Sequence, residues 1–194
     1  MHKSILANLV ISLVEIALAR ERATIRLMQE GQGAVKALTS TEAIAVQLGQ
    51  TDLNLGQQQA VKLTATTTDR FIAWQGVAGA GKTSALKEVL PLLTERGYSV
   101  KALAPSAQAA KVLGEELQVE AQTVDLLLAS NRLSLDPTPQ YWIVDEAGLI
   151  GAKNGFELLQ RATQSGARIL FVGDSKQLSA VQAGNPGRTH ANLY

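Results

Sequence analysis

Residues Gly76-Val77-Ala78-Gly79-Ala80-Gly81-Lys82-Thr83 fit the pattern G-x-x-x-x-G-K-[ST], a spacing suited to gripping phosphate. Three glycines let the backbone curl so that its N–H groups point inward at a β-phosphate, and a following helix adds its positive N-terminal end. The nucleotide-binding set expected here is Gly76, Gly79, Ala80, Gly81, Lys82, Thr83 and Ser84. Lys82 is expected to reach the β/γ-phosphate oxygens and Thr83 to place its hydroxyl on Mg²⁺. Two more clusters suit the same chemistry. In Val144-Asp145-Glu146-Ala147, Asp145 is placed to hold Mg²⁺ directly or through water, with Thr83, and Glu146 to orient an attacking water. An acidic pair of this kind can also simply cap a helix, and it is the coupling with the loop that favours catalysis. In Gly173-Asp174-Ser175-Lys176-Gln177-Leu178, Gly173 permits a tight exit and Gln177 is placed to sense a γ-phosphate. The catalytic set is then Lys82, Asp145, Glu146 and Gln177.

Each cluster needs a strand before it. Apolar runs predict strands over 71–75, 99–104, 141–144 and 168–172, and the first, third and fourth lead directly into the three clusters. Helical spacing predicts helices over 43–50, 56–64, 82–96, 107–117, 123–130 and 156–165. Residues 31–37 read as a linker or short strand. Strands separated by helices imply right-handed crossovers and a three-layer α/β fold with a mainly parallel sheet. Ligands of such sheets sit beyond the carboxyl ends of the strands, where all three clusters fall.

The chain has 194 residues and a net charge of +1, so no strong overall field draws it to nucleic acid or to a membrane. Cysteine is absent and there are two histidines, which rules out a disulfide framework and disfavours Zn²⁺ chemistry. Met1-His2-Lys3 followed by an apolar stretch superficially resembles a signal peptide. Glu15 interrupts that stretch, no turn-breaking region follows, and Ile5, Leu9, Leu13 and Ile16 recur at helical spacing. One long helix from about Ser4 to Glu30 is predicted, stopped at Gly31-Gln32-Gly33, too short in its apolar part to span a membrane. A nucleotide site places the chain in the cytoplasm.

Taken together, these motifs resemble the first RecA-like domain of a superfamily 1B DNA helicase of the RecD kind. Leu53-Asn54-Leu55-Gly56-Gln57 looks like a Q motif, and residues 76–83 like motif I. Ala104-Pro105-Ser106-Ala107-Gln108-Ala109-Ala110 looks like motif Ia, and Gln122-Thr123-Val124 like a motif Ib. Motifs II and III correspond to residues 144–147 and 173–178. Within that group the chain is most similar to the helicase part of TraI/TrwC conjugative relaxase–helicases, over about residues 20–187. The resemblance implies a RecA-like P-loop NTPase domain at 51–187, an N-terminal helical extension at 1–50 and a C-terminal tail at 188–194. It implies ATP and Mg²⁺ as cofactors, Gln57 in contact with adenine, and Ser106, Gln108 and Thr123 in contact with single-stranded DNA. Gln177 would couple the γ-phosphate to movement. Asp125 departs from the pattern, in which a histidine often stands.

The resemblance further implies that the chain is part of a longer polypeptide whose remaining domains, a second RecA-like domain and a relaxase, are its partners. Single-strand binding usually uses exposed aromatics and basic grooves. Here aromatics are scarce, and Trp74, Trp142 and Phe171 fall in strands. Lys101, Lys111, Arg132 and Lys176 could contact phosphate or belong to a solvated face. DNA binding by this piece alone is therefore expected to be weak. The intact loop and acidic pair favour an ATP-hydrolysing motor. A helicase-like module that binds single-stranded DNA or protein without hydrolysis is the alternative, and a small-molecule kinase is disfavoured by motif III.

Overall fold

The computed structural model describes residues 2–77, 79–130, 137–173 and 190–192. A long helix α1 (His2–Glu30) is followed by α2 (Thr41–Leu48) and α3 (Leu55–Thr66). Strands and helices then alternate: β1 (Phe71–Gln75), α4 (Lys82–Glu95), β2 (Ser99–Ala104), α5 (Ala107–Leu117), β3 (Glu120–Thr123), α6 (Val124–Ala129), β4 (Gln140–Val144), α7 (Ala152–Ser165) and β5 (Arg168–Gly173). A last strand, β6 (His190–Asn192), completes a six-stranded sheet in the order β3-β2-β4-β5-β1-β6. Every pairing is parallel. All the loops that follow strands therefore open on one edge.

Parallel strands are covered on both faces, and the side chains of this sheet divide accordingly. Ile72, Trp74, Ala102, Tyr141, Ile143, Leu170 and Val172 form one core with α2, α3, α4 and α5. Phe71, Ala73, Leu103, Trp142, Val144, Ile169 and Phe171 form the other with α6 and α7, joined by Leu27 and Met28 near the end of α1. The apolar runs read from sequence are thus buried strands, and Trp74, Trp142 and Phe171 are interior. The indole of Trp74 donates to the Thr64 hydroxyl (2.9 Å), which pins α3 to the sheet.

Several boundaries differ from the sequence reading. The Glu-Ala-Gln-Thr of β3 has no apolar run, and it becomes a strand by pairing with β2 at the sheet edge. Residues 190–192, read as part of a tail, pair in parallel with β1 at the other edge. Helix α7 starts at Ala152, one turn before the predicted 156, because Asn154 and Gly155 mask its first turn. The 31–37 segment is irregular and is held by bonds to its surroundings. Val35 N–H donates to Thr68 O (3.0 Å) and Leu38 N–H to Ala65 O (2.9 Å). Arg168 is fully buried and its guanidinium donates to the carbonyls of Lys36 (3.1 Å), Thr67 (3.3 Å) and Asp69 (3.2 Å). It also lies 5.7 Å from the centre of the Tyr141 ring. Val14, Ile16 and Leu18 of α1 are exposed. Among the described residues no helix is long and apolar enough to cross a membrane.

Candidate functional site

The phosphate loop leaves the sheet where β1 and β5 lie side by side. Gly76 N–H donates to Gly173 O (3.1 Å), tying the first residue of the loop to the end of the neighbouring strand. Gly79 (φ +79°) and Gly81 (φ +68°) adopt the left-handed backbone that favours glycine. The Lys82 ammonium spans the loop, donating to the carbonyls of Gly76 (3.1 Å) and Val77 (3.3 Å). Such neutral acceptors are weaker partners for a cation than a charged phosphate oxygen. Ser84 is exposed in the first turn of α4.

Gln57 sits beneath the loop. Its backbone N–H and side chain form a capping box with Asn54 at the start of α3: Gln57 N–H donates to Asn54 Oδ1 (2.9 Å), and Asn54 N–H donates to Gln57 Oε1 (2.8 Å). The side-chain Nε2 donates to the carbonyls of Ala80 (3.0 Å) and Gly81 (3.1 Å). A Cβ on Gly81 would lie 2.1 Å from that nitrogen, so the close approach needs glycine as much as the backbone angle does. An adenine contact by Gln57 would be made beside these bonds or in exchange for them.

Asp145 and Glu146 follow β4, two strands from β1 in the sheet. Burial pushes the Asp145 carboxyl above the usual range, partly offset by the backbone N–H of Glu146 and by the Lys82 charge, while Glu116 pushes it further up. A cation brought to this carboxylate would reverse the shift. Glu146 is exposed and has φ +49°, one of two non-glycine residues with positive φ among the described residues. Left-handed backbone costs a side-chain-bearing residue about 1–2 kcal/mol, and such strain concentrates at functional sites. It opens a single 3₁₀ turn at Ala147–Leu149, whose Ala147 is buried in the core with Val144 and Phe171. Glu116, near the end of α5, reaches across to accept a hydrogen bond from the Thr83 hydroxyl (3.0 Å). No sequence motif pointed to Glu116.

A family model described as an AAA domain matches residues 52–192. The chain belongs to the AAA domain family. Curated relatives of this AAA domain include the ATP-dependent RecD2 DNA helicase of Deinococcus radiodurans, 36% identical over 138 residues that cover 68% of this chain and 19% of the relative. The multifunctional conjugation protein TraI of Escherichia coli is 29% identical over 180 residues, covering 87% of this chain and 10% of that protein. The chain therefore spans less than a fifth of either relative. Among solved structures, the UvsW helicase of bacteriophage T4 shares the fold, with a TM-score of 0.62 over 82% of this chain and 69% of that chain at 10% identity. The domain is thus similar in sequence to the RecD2 and TraI proteins and shares the UvsW fold, and that likeness implies a bound nucleotide with a metal ion.

The residues fit such a ligand. Thr83 and Asp145 offer hard oxygen donors suited to a small divalent cation, and the loop offers a cation and a left-handed turn to phosphate. Ser106 and Thr123 are the N-caps of α5 and α6, accepting from Ala109 N–H (3.2 Å) and Leu126 N–H (3.1 Å), and Gln108 is exposed on α5. Asp125 accepts from Asn154 Nδ2 (2.6 Å). Lys101 and Lys111 pair with Glu120 (3.5 Å) and Glu115 (3.8 Å), which suits a solvated face. Gln177, with Asp174, Ser175, Lys176 and Leu178, lies outside the described residues, as do Ala78 and Arg132.

Proposed function

We propose that this domain binds Mg-ATP at the 76–84 loop and serves as the ATP-binding part of a TraI-like conjugative DNA helicase, contributing to translocation along single-stranded DNA. The observation that supports the reading is that the loop ending in Lys82 and Thr83 follows β1 while Asp145 follows β4, so that both open on the carboxyl edge of an all-parallel sheet. A magnesium ion bound there would neutralise phosphate charge. Lys82 would exchange its two carbonyl partners for β- and γ-phosphate oxygens. The loop N–H groups would hold the β-phosphate, and Thr83 and Asp145 would hold the ion. Glu146 would orient a water at the γ-phosphate, and Gln177 would register the presence of that group. Ser106, Gln108 and Thr123 would face a single strand laid over the first turns of α5 and α6. The remaining domains of the same polypeptide would be partners, in the cytoplasm.

Calorimetric titration of the purified chain with ADP and with a non-hydrolysable ATP analogue, in Mg²⁺ and in EDTA, tests the reading. Lys82→Ala is expected to weaken binding about 10- to 100-fold, the worth of a charge-assisted hydrogen bond. Absence of binding by the unaltered chain at millimolar nucleotide would sink the proposal.

A further inference from the structure

The Thr83 hydroxyl has one hydrogen and two lone pairs. A metal ion takes a lone pair, so the hydrogen must go to an acceptor elsewhere. In this structure it goes to Oε2 of Glu116, 3.0 Å away. Glu116 belongs to no motif of the phosphate site and lies 33 residues from Thr83 in sequence. Its charge is also felt at Asp145, the other expected oxygen donor to the ion. One carboxylate on α5 therefore bears on both groups to which a cation would bind.

We propose that Glu116 is a positioning residue for the nucleotide's divalent cation, holding the Thr83 hydroxyl with its lone pairs towards the ion and adding a negative charge beside it. The inference rests on the nucleotide reading above and deepens it. Polarisation by a cation makes the hydroxyl a stronger donor, so the bond to Glu116 tightens when the ion arrives. A phosphate held by the loop beside Thr83 would come near the same carboxylate, which would repel it when no cation stood between. Glu116 thus couples nucleotide to metal: it favours Mg-nucleotide and disfavours bare nucleotide. Partners of this kind behind a ligand typically change metal affinity about 10- to 100-fold when removed, and the exposure of Glu116 places it at the lower end.

The test is the ratio of ADP affinity in Mg²⁺ to ADP affinity in EDTA, measured by calorimetry on the whole chain. Glu116→Gln and Glu116→Ala are each expected to lower that ratio about tenfold, with affinity in EDTA unchanged or increased. Glu115→Gln, beside it in sequence and paired with Lys111, is expected to leave the ratio alone. Thermal melts of each variant check that it is folded. A ratio unchanged or raised in both Glu116 variants overturns the inference while leaving the nucleotide reading in place. A raised ratio would mean that Glu116 instead holds Thr83 away from the ion. Failure of the unaltered chain to bind ADP in either condition would overturn the nucleotide reading itself, and this inference with it.

Discussion

Burial of Asp145 raises its carboxyl pKa in the folded chain, so the folded state holds a proton there more firmly than the unfolded state does. Its ionised form therefore costs stability above the raised pKa, and that cost vanishes as pH falls below the ordinary carboxylate range. Asp145→Asn is expected to raise the melting temperature in EDTA near neutral pH. The gain should fade as the solution is acidified through that range, and melts of both proteins across pH check the sign. Gln57→Ala removes the side-chain half of the capping box and frees two loop carbonyls, so a loss of about 2 kcal/mol is expected in urea unfolding, with weakened nucleotide binding. The octapeptide and the acidic pair were legible because each has fixed spacing within a few residues. The tether from Gln57 to Ala80 and Gly81, and the bond from Thr83 to Glu116, join residues 23 to 33 positions apart, and no local pattern encodes them.

Helix α5 carries Ser106 at its cap and Glu116 near its end, so its seating governs both ends of the candidate site. Gly114 is where it presses closest on β3: a Cβ there would lie 2.5 Å from Ala121 Cβ and 3.2 Å from Val119 O. Alanine is the better helix former by about 1 kcal/mol, but overpacking costs roughly 1–3 kcal/mol. Gly114→Ala is therefore expected to destabilise the domain and to lower the Mg²⁺-dependent part of ADP affinity, as urea unfolding and calorimetry would show. The buried strands were legible because they are apolar on both faces, as with Ile169 to Val172. β3 and β6 were not, since short polar edge strands take their form from the neighbour they pair with, β2 in one case and β1 in the other. Arg168, read only as the start of a strand, gathers three carbonyls from before β1.

For the molecule as a whole, charge is nearly balanced and two of the candidate lysines already have carboxylate partners. Affinity of the purified chain for a labelled single strand is expected to be weak and to fall roughly tenfold or more between ~50 and ~200 mM salt, as for a few phosphate contacts. Tight binding that survives high salt would reveal a stacking groove instead. The strand order also sets a timetable. Phe71 pairs with Ile169 and Ala73 with His190, so the strand before the phosphate loop has neither neighbour until most of the chain exists. Contacts so distant in sequence make folding slow, and during synthesis they make it late. A nascent chain already displaying residues 76–84 outside the ribosome would have no rigid edge on which to shape them. Ligand cannot rescue such an intermediate, because the surface it would select is assembled only when β5 arrives.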